Sequence, residues 1–347
     1  MRPGSRLRPG SRPWLAAILL ATVLLSGGCV DQHPPAASSD GARVAATDAE
    51  GTSEATLPAD AAQPAGVTLP ADAPASAAGP SAASDAESLR VVATSMATVQ
   101  IMERLDVNLV GIPHSDLSEP PARYAGLPEI GMPMSPDMEV LSALKPDWVF
   151  SPISLQPDLK PKYEAAGLNA AFLNLRSVEG MYRSISDLGE LLDRRQQAQA
   201  LVKEYEDFRA GLAESLAGRE QPRVLVLMGL PGSYIVATEN SYVGNLVKLA
   251  GGINVYAGES EEFINVNTED MAARDPDIIL RAAHALPDKV VEMFAEEFVT
   301  NDIWKHFRAV QQGRVYDLPY QQFGMSATFN YPEALATLQP MLYGDGR

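Results

Sequence analysis

The chain has 347 residues, 46% hydrophobic and 20% charged, with 27 basic against 44 acidic side chains and a formal charge of −17. An acidic surface repels phosphate backbones and argues against nucleic acid as a partner. The lone cysteine, Cys29, removes disulfide frameworks, cysteine-rich zinc sites and iron–sulfur clusters together. At ~100–200 residues per domain the length suggests about two domains plus non-globular sequence, and no apolar run reaches the ~20 residues of a membrane-spanning helix.

The first 28 residues have the layout of a secretory signal. Arg2, Arg6, Arg8 and Arg12 form a basic start, the apolar stretch 14–25 follows, and Ser26-Gly27-Gly28 leads into Cys29. A cysteine directly after two glycines is similar to the bacterial lipobox, in which that residue is diacylated and becomes the new N-terminus. One position departs: the usual Leu three places before the cysteine is Ser26, with Leu25 one place further back. Ordinary cleavage, leaving Cys29 a free thiol, is the alternative. Residues 29–88 then read as the lipidated cysteine followed by a disordered acidic tether. The stretch is rich in Ala, Pro, Ser, Asp and Thr, repeats Thr-Leu-Pro-Ala-Asp-Ala at 56–61 and 68–73, and cannot bury enough apolar surface to offset its chain entropy. The mature protein is expected on the extracytoplasmic face of the cell membrane. Residues 89–347 retain a charge of −13, because the tether contributes −8 and the four arginines of the signal +4.

From Arg90 onward, short β-rich runs alternate with helical ones. Strands are expected at 90–94, 108–112 and 147–151, with helices at 95–105, 136–144 and 157–166. That alternation implies a parallel sheet with crossover helices. After Pro222 the pattern restarts with a strand at 223–228, helices at 242–250 and 268–274, and a strand at 277–280. One internal match is sharp. Glu139-Val-Leu-Ser-Ala-Leu-Lys-Pro146-Asp147 has its counterpart in Glu269-Asp-Met-Ala-Ala-Arg-Asp-Pro276-Asp277, where Glu, Pro and Asp all recur 130 residues later. In each copy a helix starts near the Glu, ends before the Pro and feeds a buried strand, as proline's missing donor requires.

Between the copies, residues 194–217 form a proline-free stretch with an apolar stripe through Ala198, Leu201, Tyr205, Phe208 and Leu212. At ~1.5 Å per residue it spans about 35 Å, enough to join two lobes as a stiff strut. The expected class is α/β: two Rossmann-like lobes, 89–193 and 218–347, joined by one long helix, as in a bilobal receptor with a ligand cleft.

Gly-x-Ser-x-Gly, His-Glu-x-x-His, phosphate-loop and dinucleotide fingerprints are all missing, so nothing argues for an enzyme. The candidate ligand residues are few. His284 follows the strand at 277–280, where open parallel sheets place their ligands. Met134 lies in the proline-punctuated Gly131-Met-Pro-Met-Ser-Pro-Asp-Met segment just before the repeated Glu helix. A thioether and an imidazole from opposite lobes can clamp a metal that already has equatorial ligands, and haem iron is the known instance. Against this, a loop Met usually serves packing and a single His is usually satisfied structurally.

Five segments carry a resemblance: Gly131–Glu139, Leu227–Gly244, Pro276–His284, Asn301–Phe307 and Arg314–Leu318. Over about residues 90–343 they resemble the IsdE-type haem-receptor lipoproteins of iron-regulated surface systems. That family is the substrate-binding component of a haem ABC transporter, so the resemblance implies haem as cargo, permease subunits as partners and possible upstream haem-donor surface proteins. It implies Met134 and His284 as axial ligands. It also implies haem contacts at Met96 and Ala97, the start of the first helix, and at Ser115 and Asp116 in the loop after the second strand. Asp116 departs from relatives that carry an aromatic there, which leaves a main-chain contact. Phe323 and Met325 are candidates for pocket wall, with ordinary core as the alternative. One exposed Glu per lobe meets arginines of the permease in such receptors, which assigns docking to Glu139 and Glu269; simple compensation of the helix dipole is the alternative.

Two other cargoes compete. One is an Fe(III)-siderophore or corrinoid on the same scaffold, which usually needs Arg, Lys or Tyr in the pocket. The other is a divalent metal, in a receptor or metal-dependent enzyme, held by His114, His284 and His306, although His306 sits in an amphipathic Trp-Lys-His-Phe segment that suits a structural role.

The Gly-Gly-Cys signal makes membrane attachment depend on one sulfur. Cys29→Ser is expected to release the protein from the membrane fraction in a cell-fractionation blot, and unchanged retention overturns the lipidation.

Overall fold

The strand–helix alternation folds into two sheets, one in each half of the chain, in the computed structural model, which describes residues 67–68 and 89–344. The expected signal, Cys29 and all but two residues of the expected tether lie outside the described residues. The first half contains β1 (Val67–Thr68), β2 (Val91–Ala93), α1 (Met96–Arg104), β3 (Leu109–Gly111), β4 (Gly131–Met132), β5 (Ser135–Pro136), α2 (Met138–Ala143), β6 (Trp148–Pro152), α3 (Gln156–Ala165), β7 (Ala170–Leu173) and α4 (Val178–Leu191). Its main sheet runs β1-β7-β6-β2-β3, parallel except for β1. Every residue of β2, β6 and β7 is buried, as expected of parallel strands covered on both faces. β1 differs from expectation, because Val67 and Thr68, within the stretch read as a tether, pair antiparallel with Leu173 and Phe172.

The 22-residue helix α5 (Arg195–Leu216) follows, about 33 Å long. The second half contains β8 (Arg223–Leu230), β9 (Ser233–Ala237), α6 (Tyr242–Leu249), β10 (Ile253–Asn254), β11 (Phe263–Ile264), α7 (Thr268–Ala273), β12 (Ile278–Ala283), α8 (Pro287–Thr300), α9 (Arg308–Gln311), β13 (Val315–Asp317) and α10 (Tyr331–Tyr343). Its sheet runs β11-β9-β8-β12-β13, with β10 parallel to the start of β8. The antiparallel β9 is an insertion that the sequence did not disclose.

The 130-residue repeat has a structural cause. In each lobe the first strand's arginine ties the Glu helix to the strand after it. The Arg90 guanidinium donates to the carbonyl of Leu144 at the end of α2 (2.7 Å), and Arg223 donates to that of Arg274 at the end of α7 (2.8 Å). The Asp after each proline reciprocates: Asp147 accepts from the Arg90 N–H at 2.7 Å and Asp277 from the Arg223 N–H at 2.8 Å. Lys145 and Asp275, again 130 apart, hold left-handed backbone at φ 46° and 44° just before the prolines. The helix starts match too, with Ser95 capping α1 and Ser241 capping α6 through bonds to the N–H three residues on.

One apolar core joins the lobes. Val91, Phe150 and Leu173 of the first sheet and Val224, Met228 and Leu280 of the second belong to the same buried cluster, bridged by Tyr182 of α4, Leu201 and Tyr205 of α5, and Tyr331 of α10. Tyr182 stacks on Tyr205 with centroids 4.4 Å apart, and Tyr331 meets both edge-on at 6.0 Å. Polar joints reinforce the contact. Asn245 of α6 accepts from the Val178 N–H (3.0 Å) and donates to Glu179 (3.0 Å), while Arg176 pairs with Glu262 at 2.6 Å.

Tyr331 is the residue on which this junction converges, and it is 3% exposed. Tyr331→Ala is expected to cost about 3–5 kcal/mol in urea denaturation, and Tyr331→Phe, which loses only the hydroxyl bond to Tyr182, about 1 kcal/mol.

Candidate functional site

The carboxyl ends of parallel strands in an open α/β sheet are where ligand-binding loops gather. His284 is the residue immediately after β12. Its N–H donates to the Gly229 carbonyl near the end of β8 (2.9 Å), which pins the loop to two strands at once. The ring is half-buried, and its Nδ1 is shielded without a hydrogen-bond partner among the described residues. Burial lowers the pKa of this imidazole from its ordinary value, so the ring is neutral near neutral pH and carries a lone pair. Two residues on, Leu286 holds left-handed backbone (φ 48°, ψ 60°), with its side chain 55% exposed, just before Pro287 opens α8. A bulky residue in that region is strained, and strain of this kind gathers at ligand sites.

Met134 differs from the extended loop expected of it. Met132 pairs with Ser135 across a two-residue turn, so Met134 sits at the tip of the β4–β5 hairpin. Gly131, at φ 86°, makes the turn possible. Pro136 closes the hairpin instead of starting the helix, because the Asp137 carboxylate accepts from the N–H groups of Glu139 (2.9 Å) and Val140 (3.1 Å) and so begins α2. Met134 is 57% exposed and Met132 45%. A long apolar side chain held out in water on a tight hairpin packs against nothing in its own core, and packing therefore does not explain Met134.

At α1, Ser95 Oγ accepts from the Thr98 N–H (3.2 Å), while Met96 and Ala97 occupy first-turn positions whose N–H groups have no intrahelical acceptor. No acidic residue stands in that turn, so the positive end of the helix is unopposed by its own sequence. Ser115 is engaged locally, its hydroxyl accepting from Leu117 (3.3 Å) and Ser118 (3.2 Å). Asp116 is exposed and reaches His114 Nε2 at 3.1 Å, while Glu129 reaches His114 Nδ1 at 2.7 Å.

Of the two places open to Phe323, pocket wall or core, the structure agrees with the core. Phe323 has no exposed surface and lies in the shared core, where Met325 packs against it half-buried. Glu139 and Glu269 are both exposed and both second in their helices, equivalent under the repeat, and neither makes the N-cap bond, which falls to Asp137 and Asn267. His306 is exposed at the end of a short 3-10 turn beside the buried Trp304, and among the described residues no three His, Cys, Asp or Glu side chains form a metal cluster. The trio of His114, His284 and His306 is therefore not assembled. A groove of about 890 Å3 runs between α5 and α10, lined by Phe208, Leu212, Leu335, Pro340 and Tyr343 among others, and includes none of the candidate residues. Neither the His114 cluster nor the left-handed Leu286 is announced by a local sequence pattern. Asp116 is a local neighbour of His114, but the second carboxylate, Glu129, reaches the ring only when the chain is folded.

The profile of the periplasmic binding proteins matches residues 91–322. The chain belongs to that family. The high-affinity heme uptake system protein IsdE of Staphylococcus aureus strain Newman is 40% identical over 257 residues, which are 74% of this chain and 88% of that protein. Two crystal structures share the fold of this periplasmic binding protein. One is an ABC transporter substrate-binding protein from Listeria monocytogenes EGD-e, with a TM-score of 0.71, 48% identity, and 75% of this chain and 100% of that one covered. The other is S. aureus IsdE complexed with heme, with a TM-score of 0.70, 39% identity, and 74% and 99% covered. The bilobal α/β architecture and the membership of a substrate-binding, transport family both agree with the sequence reading.

Proposed function

We propose that this periplasmic binding protein takes up haem between its lobes and hands it to an ABC permease, working from the extracytoplasmic face of the membrane to which Cys29 anchors it. The observation that carries the reading is the His284 imidazole, its shielded Nδ1 without a partner among the described residues, on the opposite lobe from an exposed methionine at a hairpin tip. An imidazole and a thioether suit the two open axial positions of a metalloporphyrin, and do not suit a charged chelate. The similarity to a haem-uptake protein over most of the chain supports the same cargo.

Affinity then has three sources. Burial of the macrocycle contributes at about 25 cal/mol per Å2. First-turn amides at Met96 and Ala97 receive the anionic propionates. His284 and Met134 ligate the iron. Since burial alone holds part of the affinity, a single ligand variant still binds haem, and the spectrum is the informative readout.

Mixed with haemin, the purified protein is expected to develop an intense Soret band. His284→Ala and Met134→Ala should each shift the reduced iron toward high spin, while Met132→Ala, on the hairpin strand beside the tip, leaves the spectrum as it was. No Soret change in the unaltered protein ends the haem reading. A response to Met132→Ala in place of Met134→Ala moves the ligand but keeps the cargo.

Glu139 and Glu269, equivalent and exposed, form the permease contacts in this proposal. Charge reversal of either is expected to lower receptor-stimulated ATPase activity of the reconstituted transporter with an unchanged haem titration. Weakened haem binding would instead assign them to the pocket.

A further inference from the structure

We propose that His114 is a positioning and charge-masking residue for the cargo site, its imidazolium joining the loop after β3 to the strand that carries the Met134 hairpin. The proposal rests on haem, a dianion through its propionates, being the cargo.

Both ring nitrogens of His114 face carboxylates. Nδ1 stands 2.7 Å from Glu129 Oε2 and Nε2 stands 3.1 Å from Asp116 Oδ1. An ionised carboxylate only accepts, and a neutral imidazole donates from one nitrogen only. The two contacts coexist as hydrogen bonds when the ring is doubly protonated. Glu129 and Asp116 are the charged groups that face the ring, and they hold its pKa above the ordinary 6.5.

The main chain explains why this matters at a distance from the ring. Ile112 bridges to Glu129, the Ile130 N–H donates to the Ile112 carbonyl (2.9 Å), and the His114 N–H donates to the Gly131 carbonyl (2.9 Å). Gly131 is the first residue of the hairpin that presents Met134. The clamp therefore fixes the loop of Ser115 and Asp116 against the base of the methionine hairpin. Its charge is −1 with the ring protonated and −2 with the ring neutral. Near a dianionic cargo that difference acts directly. In a folded part that already carries −13, no distant positive field compensates.

The sign follows from the raised pKa. The cation, with both bonds, is complete below the ordinary histidine value and is lost as pH rises through the higher folded value. Cargo affinity should fall on the alkaline side.

Soret titrations with haemin at about pH 6 and about pH 9 bracket the histidine range. The unaltered protein is expected to bind about three- to fivefold more weakly at the higher pH, the size of one screened charge acting on a dianion at several ångströms. His114→Gln should bind at the weaker level throughout. His114→Lys, a cation that does not titrate there, should keep the tighter level throughout. An alkaline fall of equal size in His114→Gln overturns the proposal, as does a His114→Lys variant that matches His114→Gln. A protein that shows no Soret change at either pH fails on its cargo, whereas one that binds haem with no histidine-dependent alkaline fall fails on this inference alone.

Discussion

The apolar core that passes from one sheet to the other, beside a smaller cluster within each lobe, is the constraint from which the remaining arrangement follows. In many two-lobed proteins each lobe has its own core and a flexible strand between them. Here Tyr182, Tyr205 and Tyr331 pack against each other from α4, α5 and α10, and Val91 of β2 belongs to the same buried cluster as Val224 and Val226 of β8. Moving the lobes far apart would expose that cluster to water, and burying a large aromatic side chain stabilises by several kcal/mol. Asn245 and the Arg176–Glu262 pair add directional bonds that do not slide. The fold therefore favours small adjustments over wide closure, and the cargo loops must be held ready in the unliganded chain.

That requirement accounts for where the exposed apolar residues lie. Leu117, Met132, Met134 and Leu286 are among the few large hydrophobic side chains left in solvent, and all four sit on the loop after β3, on the hairpin or in the loop after β12. A flexible receptor would fold such residues inward until its ligand arrived. A rigid one keeps them out, and accepts a left-handed leucine beside His284 to do so. The Gly131 turn and the Asp137 cap serve the same end, holding Met134 on a two-residue turn against a helix start.

How much of this was legible in the sequence depended on the range of the interaction involved. The Glu-helix-Pro-Asp repeat was readable because proline and aspartate act on immediate neighbours, and the folded chain adds only that Arg90 and Arg223 close the loop in each lobe. The strut at 194–217 was readable from its stripe and lacks one residue at either end as observed. β9, α4, α8 and α10 went unread: α4 and α10 pack into the core shared by the lobes, while β9 and α8 are fixed by non-local packing against β8 and β12 within the second lobe. Among site residues, His284 and the helix start at Met96 could be placed from strand order alone. Phe323 stayed open between pocket wall and core because an aromatic in a polar loop reads alike in both, and its complete burial agrees with the core alternative. The carboxylates around His114 come from positions 116 and 129, the second brought in by a bridge to Ile112 that no local pattern announces.

Charge sets the last condition. With −13 on the folded part, the protein as a whole repels a dianion, so long-range steering cannot account for capture of such a cargo. What remains is short-range: the uncompensated amide end of α1 attracts, and a histidine between two carboxylates offsets one of their two charges. Both act within a few ångströms, where an exposed net charge is screened over about 8–10 Å. A receptor built this way discriminates by contact and not by field. Small anions that approach the surface meet repulsion without compensation, while a flat apolar dianion that can bury its face reaches the amides and the ligands together. The acidic surface thus works with the local site, raising the affinity required of any anion that lacks an apolar body.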